Sequence, residues 1–394
     1  MNLNDLPDEV LEQIFDHLDL YELKLASLVC RRWAKVTFSG RRMDRVWFLL
    51  CGATWKTLLN IKRPYRNIHQ LGFRSKAPFK RLSRFLQTLK LPVRRLKVGN
   101  GLTLEELRLI LLEVPELQDL CIAIGIKFPI PDSPRPFPQV LTKLKCLKLD
   151  RYQSNLFDCF RMNVANLQSL YMSCGIESDL EIWRYVSGQL KLAHVYWFYP
   201  TYFFQFFELT FPHLEDLTIK EPGYGTTEKK ASSRSHDFFR RHSLLRRLSV
   251  DFTIPVEWIR SITRHCAELT YLYLFVMNME EGILESLTQL TKLRHLSFLR
   301  HSKECSYLNR SQYTKLDTKL FRGAIKSLES VELEMYPTRV FLENLFEAAP
   351  QLNSLEIKTI YDDFADQIAL DFEFICEKFS CLRRLELDVR KQVS

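Results

Sequence analysis

The feature that most constrains the fold of this 394-residue chain is a short leucine pattern that recurs from residue 93 onward. Each copy places apolar residues at positions one, four and six, as in LTYLYL, which starts at Leu269. We count twelve copies, which begin at residues 93, 117, 144, 167, 190, 214, 245, 269, 293, 328, 352 and 382. Most steps between copies are 23 or 24 residues long, and this regularity is the signature of a repeat architecture.

Each repeat combines a strand pattern with a helix pattern. Alternate apolar residues in the leucine unit predict a short strand, and the segments between units have helical periodicity. In the first such segment, Thr103 and Glu106 form a predicted capping box. A strand that returns to its own sheet through a helix stacks as a parallel solenoid. We therefore predict an α/β solenoid over residues 91–394, with concave strands and convex helices, and the pattern resembles a leucine-rich-repeat domain.

Three long steps between repeats locate insertions. Residues 128–138 are rich in proline, residues 221–237 are polar, and residues 300–317 are basic. Loops of this length either bind a ligand or have no function, and the sequence leaves both alternatives open.

The residues between the leucines predict what lines the concave surface. Tyrosine is frequent at the energetic centre of protein interfaces, and acidic residues suit a basic partner. We predict a binding surface for a protein substrate at Tyr171, His194, Tyr196, Tyr271, Tyr273, Phe275, Glu332, Glu334 and Glu356. The rival interpretation is that these aromatic side chains pack across neighbouring strands, as aromatic cross-strand pairs do.

The first 50 residues predict a separate helical module. Asp5 is a candidate cap for a first helix, whose apolar stripe includes Ile14 and Leu18. A second predicted helix runs through Leu23 and Trp33, and a third covers 43–51. A unit of about 50 residues makes only a marginal core, so we expect another domain or a partner to cover its remaining apolar surface.

This stretch carries a second resemblance. LPDEVLEQIFDHLDLYELKLASLVCRRW, residues 6–33, resembles the F-box motif of the substrate receptors of Skp-cullin-F-box ubiquitin ligases. One position departs, because Glu22 stands where many members have aspartate. The resemblance implies docking on a Skp-type adaptor, and through it on cullin and RING subunits, by Leu6, Pro7, Ile14, Leu18, Leu23, Val29, Cys30 and Trp33. The alternative is that the module is a self-contained cap on the repeats.

The charge distribution raises a further alternative. Residues 45–104 contain 14 Lys or Arg and no acid, and aromatic residues are interspersed among them. We predict that residues 51–90 form a basic helical linker. A basic stretch with aromatic residues is also typical of a nucleic-acid-binding surface, and a scaffold without any ligase role is a third hypothesis.

Several classes of protein are disfavoured. The ten cysteines are scattered without a CxxC pair, so we expect reduced thiols in the cytoplasm or nucleus rather than a disulfide framework. We find no secretory signal and no apolar run long enough for a membrane span. No motif suggests a catalytic residue, a metal site or a cofactor. The resemblance to F-box proteins with leucine-rich repeats therefore implies a non-catalytic substrate-recognition subunit of a ubiquitin ligase.

Overall fold

The structure is a computed structural model. It describes residues 3–39, 42, 44, 46–50, 68–73, 86–87, 92–99, 102–123, 136–137, 141–149, 154–174, 177–197, 205–220, 232–254, 256–275, 285–299, 323–333, 337–359 and 365–389. The chain divides into two compact units, residues 1–167 and residues 168–394, which are described separately below.

The first unit begins with three short helices. After a 3-10 turn at Leu3–Asp5, the helices are α1 (Asp8–Asp16), α2 (Leu20–Ala26) and α3 (Arg31–Thr37). Asp5 is not a helix cap, because α1 starts after Pro7 without a side-chain cap. Asp19 caps α2 instead, since its carboxylate accepts from the Glu22 amide at 2.8 Å.

The predicted second helix is two helices. The Ser27 hydroxyl donates to the Lys24 carbonyl at 2.6 Å, a contact that favours helix termination. Cys30 then adopts an extended backbone, with φ −158° and ψ 169°, and its sulfur accepts from the Trp33 amide. The chain therefore turns between Ala26 and Arg31 and starts α3, which the continuous apolar pattern concealed.

These helices enclose a small core of their own. Its buried side chains are Leu11, Phe15, Leu23, Ala26 and Val36. Leu6, Leu18 and Trp33 pack against this core, and the Phe15 and Trp33 rings meet edge to face with centroids 5.2 Å apart. The core orders α1, α2 and α3 as one module.

Five parallel strands follow within the first unit. Over the described residues up to 167, these strands are β1 (Trp47–Leu50), β2 (Gln70–Phe73), β3 (Arg95–Val98), β4 (Asp119–Ile122) and β5 (Cys146–Leu149). Each strand pairs with the next one along the chain. Helices at Leu104–Leu112 and Ser154–Phe160 and a 3-10 turn at Arg161–Asn163 lie between or after them. Thr103 caps the first of these helices with Glu106, which confirms the predicted capping box.

Two of these strands correct the sequence analysis. The predicted third helix over 43–51 is wrong, because Trp47–Leu50 is a strand, and the predicted helical linker contains strand β2. A Cβ added at Gly72 would lie 2.7 Å from Leu49 Cδ2. Leu49 can therefore lie across β2 only because residue 72 has no side chain. Most of the predicted linker lies outside the described residues.

The second unit repeats the same construction. Its described strands are β6 (Ser169–Cys174), β7 (Leu192–Trp197), β8 (Asp216–Lys220), β9 (Arg247–Thr253), β10 (Tyr271–Phe275), β11 (His295–Leu299), β12 (Ser330–Leu333), β13 (Ser354–Thr359) and β14 (Arg384–Val389). They pair in parallel with their sequence neighbours from β6 to β14. Its described helices are Glu177–Val186, Ser232–Arg241, Val256–His265, Arg339–Ala348 and Ala365–Lys378, with a 3-10 turn at Glu285–Gln289.

All twelve predicted strands are confirmed, and each begins two residues after the first apolar residue of its unit. The leucine positions point to the interior, as Leu269, Leu272 and Leu274 show with no exposed area. The fold class is thus the predicted α/β repeat solenoid, and strands β1 and β2 extend the repeats toward the amino terminus. In the last strand, Leu385 and Leu387 are only half-buried.

The insertions are described only in part. Residues 300–317 lie outside the described residues, as do 128–135 and 221–231. Ser232–Asp237, expected as part of a polar loop, instead starts the helix Ser232–Arg241. None of the helices in the described parts of the chain is both long and apolar enough to cross a membrane.

Candidate functional site

The helical module exposes an unusual share of apolar side chains. Of the 16 large hydrophobic residues exposed among the described residues, half belong to α1, α2 and their flanking residues. This exposed apolar set is Leu3, Val10, Ile14, Leu20, Tyr21, Leu25, Leu28 and Val29. Val10 and Ile14 are one turn apart on α1, and Tyr21 and Leu25 are one turn apart on α2. Apolar area concentrated in this way is typical of an interaction surface.

The structure separates the predicted adaptor contacts by burial. Ile14 and Val29 are 39% and 59% exposed, and Pro7 is exposed as well. Leu6, Leu18, Cys30 and Trp33 are half-buried. Leu23 is only 1% exposed and belongs to the module core. A role of these residues in adaptor binding stays a prediction.

Other exposed residues did not enter the predicted set. Leu28 is the most exposed of the large hydrophobic residues in the module, at 74%, and Tyr21 and Leu25 accompany it. The spacing of 21, 25 and 28 is a helical stripe of its own, so the sequence did contain the signal. The sequence alone did not separate this stripe from the neighbouring one, which includes Leu23 and Ala26. The structure shows that the Leu23 and Ala26 side chains are the buried ones.

Arginine side chains hold the acidic opening of the chain in place. Arg32 on α3 donates to the Asp8 carboxylate at 2.8 Å and to the main-chain carbonyls of Asn4 and Leu6. Glu12 and Asp16 on α1 pair with Arg42 at 3.4 and 2.7 Å. The acids of α1 thus contribute to the internal structure of the module and fix the segment that leads into α1.

The outer strand face of the second unit has a different chemistry. We use this name for the side chains of β6–β14 that alternate with the buried leucines. At its start, the His194 ring lies between two tyrosines, 5.1 Å from the Tyr171 ring and 4.7 Å from the Tyr196 ring. The Tyr171–His194 contact joins β6 and β7 and is the cross-strand packing that the sequence left as an alternative, whereas His194 and Tyr196 are on the same strand. Substrate binding at these rings stays a prediction.

A charged cluster lies in the middle of the outer strand face. The Arg247 guanidinium is 4.3 Å from the centre of the Tyr271 ring and 3.3 Å from the Asp216 carboxylate. Burial raises the pKa of Asp216, and the Arg247 charge offsets part of that rise. Burial and the Glu332 carboxylate both raise the pKa of Tyr271. Tyr273, the next outward residue of β10, is half-buried.

An ion-pair cluster follows on β12 and β13. Lys358 forms a hydrogen bond to Glu332 and lies 3.0 Å from Glu356, while the Ser297 hydroxyl donates to Glu332 at 3.1 Å. Burial lowers the pKa of Lys358, but its bonds to the two carboxylates outweigh this, so the pKa is raised. Glu332 and Glu356 of the predicted acidic end therefore share one lysine within the chain. The Phe275 side chain and Glu334 lie outside what the structure describes.

The described residues contain no cluster of metal ligands, and two of their cysteines have raised pKa values. No group of three or more His, Cys, Asp or Glu side chains within the described ranges is placed to hold a metal ion. Burial raises the pKa of Cys266 to about 12, and burial with the nearby Asp119 raises that of Cys146 to about 12. Such thiols are poor nucleophiles because little thiolate is present.

The basic stretch is described only in fragments. Arg94, Arg95 and Lys97 belong to or adjoin β3, and most of the other basic residues of 45–104 lie outside the described ranges. Arg95 pairs with Asp119 on β4 at 2.8 Å. Nucleic-acid binding by this stretch stays a hypothesis from the sequence.

Comparison with known proteins identifies the helical module. A family model of the F-box-like domain matches residues 3–49. Residues 3–49 are an F-box-like domain. This domain spans α1, α2 and α3 and carries the whole exposed apolar set. An F-box-like domain indicates a general adaptor role in ubiquitin ligation and implies binding to a Skp-type adaptor, and F-box substrate receptors are generally non-catalytic.

The comparison with solved structures covers the repeats as well. A chain of the crystal structure of the Rad7 and Elc1 complex in yeast is 13% identical to this protein. The match covers 90% of each chain with a TM-score of 0.41. No curated protein matches this sequence.

Proposed function

We propose that this protein is the substrate receptor of a Skp-cullin-F-box type ubiquitin ligase in the cytoplasm or nucleus. Its F-box-like domain binds a Skp-type adaptor, which links it to the cullin and RING subunits, and its repeats bind a protein substrate. The observation that carries the proposal is the exposed apolar set, which lies on the F-box-like domain and contains half of the exposed large hydrophobic residues described.

Burial of this set on a partner supplies the driving force for adaptor binding. Each square ångström of apolar area removed from water contributes about 25 cal/mol. Leu28 and Val29 are the most promising anchors because they are adjacent and each is more than half exposed. Leu23, by contrast, acts through the module core, where it supports the helix that carries Tyr21 and Leu25.

The receptor contributes geometry to the reaction. Holding a substrate lysine close to the donor makes the transfer effectively unimolecular, and the ligase subunits supply the transfer itself. The receptor therefore needs two surfaces, one for the adaptor and one for the substrate. The exposed apolar set and the outer strand face are the two that we assign.

The test is co-purification of the full chain with a recombinant Skp-type adaptor. We expect the wild-type protein to form a stable complex, and the double variant Leu28→Glu, Val29→Glu to bind at least about 30-fold more weakly, because two hot-spot residues become charged. Leu244→Glu is the matched control, since Leu244 is 52% exposed but lies in the second unit. Circular dichroism shows whether each variant is folded.

Two outcomes contradict the proposal. One is that the folded wild-type chain binds no Skp-type adaptor. The other is that the double variant and the Leu244→Glu control bind equally well, which removes the exposed apolar set from the interface.

A further inference from the structure

Two residues between α3 and β1 contact different parts of the first unit. Arg42 and Asp44 are two positions apart in the segment of the F-box-like domain that leads from α3 to strand β1. The Arg42 side chain is only 5% exposed, which is unusual for a permanent charge. Among the described residues, Arg42 bonds to α1, α3 and Ser39, whereas Asp44 bonds to Gln70 of β2 and to His69 before it.

Arg42 joins the carboxyl-terminal turns of two helices. On α1 it donates to the Glu12 carbonyl at 2.9 Å and to the Asp16 carboxylate at 2.7 Å. On α3 it donates to the carbonyls of Val36 at 2.8 Å and Thr37 at 3.2 Å. A cation is favourable at helix carboxyl termini, and these hydrogen bonds compensate for the burial of its charge.

Asp44 is fixed to the start of the strand layer. Its carboxylate oxygen Oδ1 lies 2.5 Å from His69 Nδ1, and its main-chain carbonyl accepts from the Gln70 side chain. Gln70 is buried and is the first residue of β2. The His69 carbonyl in turn accepts from the amides of Arg94 and Arg95 at 2.8 and 2.9 Å, where β3 begins. Asp44 is thus connected to the hydrogen bonds between β2 and β3.

We propose that Arg42 and Asp44 form a bracket that holds helices α1–α3 of the F-box-like domain in one orientation relative to strands β2 and β3. If the connecting segment were bonded at only one end, the helices could change their orientation relative to the strands. Here two nearby residues of the segment are bonded to different sides, Arg42 to the helices and Asp44 to the strands, and five of the bonds come from a single planar guanidinium. Arg42 and Asp44 are positioning residues, because they act through the elements that they connect.

The orientation matters for ubiquitin transfer, and this step rests on the proposed function. A rigid receptor keeps the substrate at a high effective concentration near the donor, whereas a loose joint spreads it over a larger volume. Loosening the bracket should therefore slow the transfer to a bound substrate without weakening the adaptor complex.

The test measures the distance distribution between spin labels at Gln13 on α1 and Glu105 on the helix Leu104–Leu112, both exposed. The labels are introduced as unnatural amino acids because the chain has ten cysteines. Asp44→Ala removes the carboxylate that meets His69, and Arg42→Lys keeps the charge but loses the planar fork. Lys143→Met is the matched control, since it removes an exposed ion pair with Glu116 in the same unit.

We expect a narrow distribution for the wild type and for Lys143→Met, and a distribution at least about twice as wide for Asp44→Ala, because a flexible linker explores a larger volume. Arg42→Lys should widen it as well. If Arg42→Lys unfolds the F-box-like domain, Asp44→Ala still decides, because Asp44 contacts none of α1–α3 in the bonds described above. An unchanged width in folded Asp44→Ala overturns the bracket.

Adaptor affinity is measured on the same samples so that the two proposals can fail separately. Asp44→Ala should bind a Skp-type adaptor as the wild type does, because the exposed apolar set is untouched. If the wild type binds no adaptor, the proposed function fails while the distance distribution still tests the bracket. If binding is intact and the width is unchanged, only the bracket fails.

Discussion

The exposed apolar set of the F-box-like domain and the outer strand face of the second unit are opposite kinds of surface. On the first, apolar side chains such as Leu28 and Val29 are in water. On the second, rings and charges contact one another, as Arg247 contacts Tyr271 and Asp216. Burial of the first surface is favourable with any partner of matching shape. A partner of the second must offer better contacts than those already made, which favours specificity.

The largest expected change in stability comes from a substitution in the core of the F-box-like domain, which is compared with one on its surface. Leu23→Ala should lower the free energy of unfolding of this domain by about 2–5 kcal/mol, because it leaves a cavity in the core. Leu28→Ala, on an exposed position of the same module, should change it by less than about 0.5 kcal/mol. Hydrogen exchange of α1–α3 measures both. Equal losses would show that Leu28 is also an interior residue and would weaken the contrast.

The second prediction uses pH to test a buried histidine in the second unit. His242 is buried, accepts from the Phe211 amide at 2.8 Å through Nε2, and donates through Nδ1 to the Phe238 carbonyl at 2.6 Å. Burial lowers its pKa to about 4, and the neighbouring Arg241 charge also lowers it, although the Phe238 bond acts in the other direction. The folded protein thus holds this imidazole neutral where the unfolded chain protonates it.

Because the pKa of His242 is lower in the folded state than its usual 6.5, the stabilisation is complete above pH 6.5. It decreases as the pH falls toward 4, and the total change is on the order of 3 kcal/mol. Urea unfolding of the wild type and of His242→Gln at several pH values measures the difference. Equal pH slopes in wild type and His242→Gln would refute the assignment.

The third prediction concerns the outer strand face itself. Tyr271→Ser removes the ring under Arg247 and should lower the free energy of unfolding of the second unit by about 1–2 kcal/mol. Tyr185→Ser is the control, because Tyr185 is exposed on the helix Glu177–Val186, and it should cost less than about 0.5 kcal/mol. Chemical denaturation compares them. If Tyr271→Ser lowers the free energy of unfolding no more than Tyr185→Ser does, the contacts on the outer strand face do not stabilise the fold, and the contrast with the exposed apolar set is lost.

The smallest effect is expected at an exposed ion pair on the strands of the first unit. Asp119→Asn breaks the pair with Arg95 and should change stability by no more than about 0.5 kcal/mol, because both side chains are partly in water. The change should shrink further in high salt. Thermal unfolding at two salt concentrations is the measurement. A loss above about 2 kcal/mol would show that ion pairs on the strands contribute to stability as core leucines do.

The fold was largely predictable because buried leucines recur at a fixed period. All twelve leucine units became strands at the expected positions. Strands β1 and β2 were missed because WFLL and QLGF lack the full leucine unit, and because Trp47 and Leu50 also fit a helical spacing. The Leu49 side chain packs over Gly72 of the neighbouring strand, and a contact between two strands cannot be read from the local pattern of either one.

The functional surface was predictable in type but less so in detail. The motif located the F-box-like domain, yet Leu23 proved to be interior and Leu28 exterior, because the two apolar stripes of residues 20–29 look alike in sequence. Arg42 had no signal of its own, since Glu12 and Asp16 are 26 or more residues away. Contacts of this range are created by the tertiary fold, and local patterns do not contain them.

The most direct test of the central contrast is a hydrogen-exchange comparison of the full chain with and without a bound Skp-type adaptor. We expect protection in peptides covering α1, α2 and the turn after α2 that carries Leu28 and Val29, and no change in strands β6–β14. Protection confined to the outer strand face, with α1 and α2 unchanged, would contradict it.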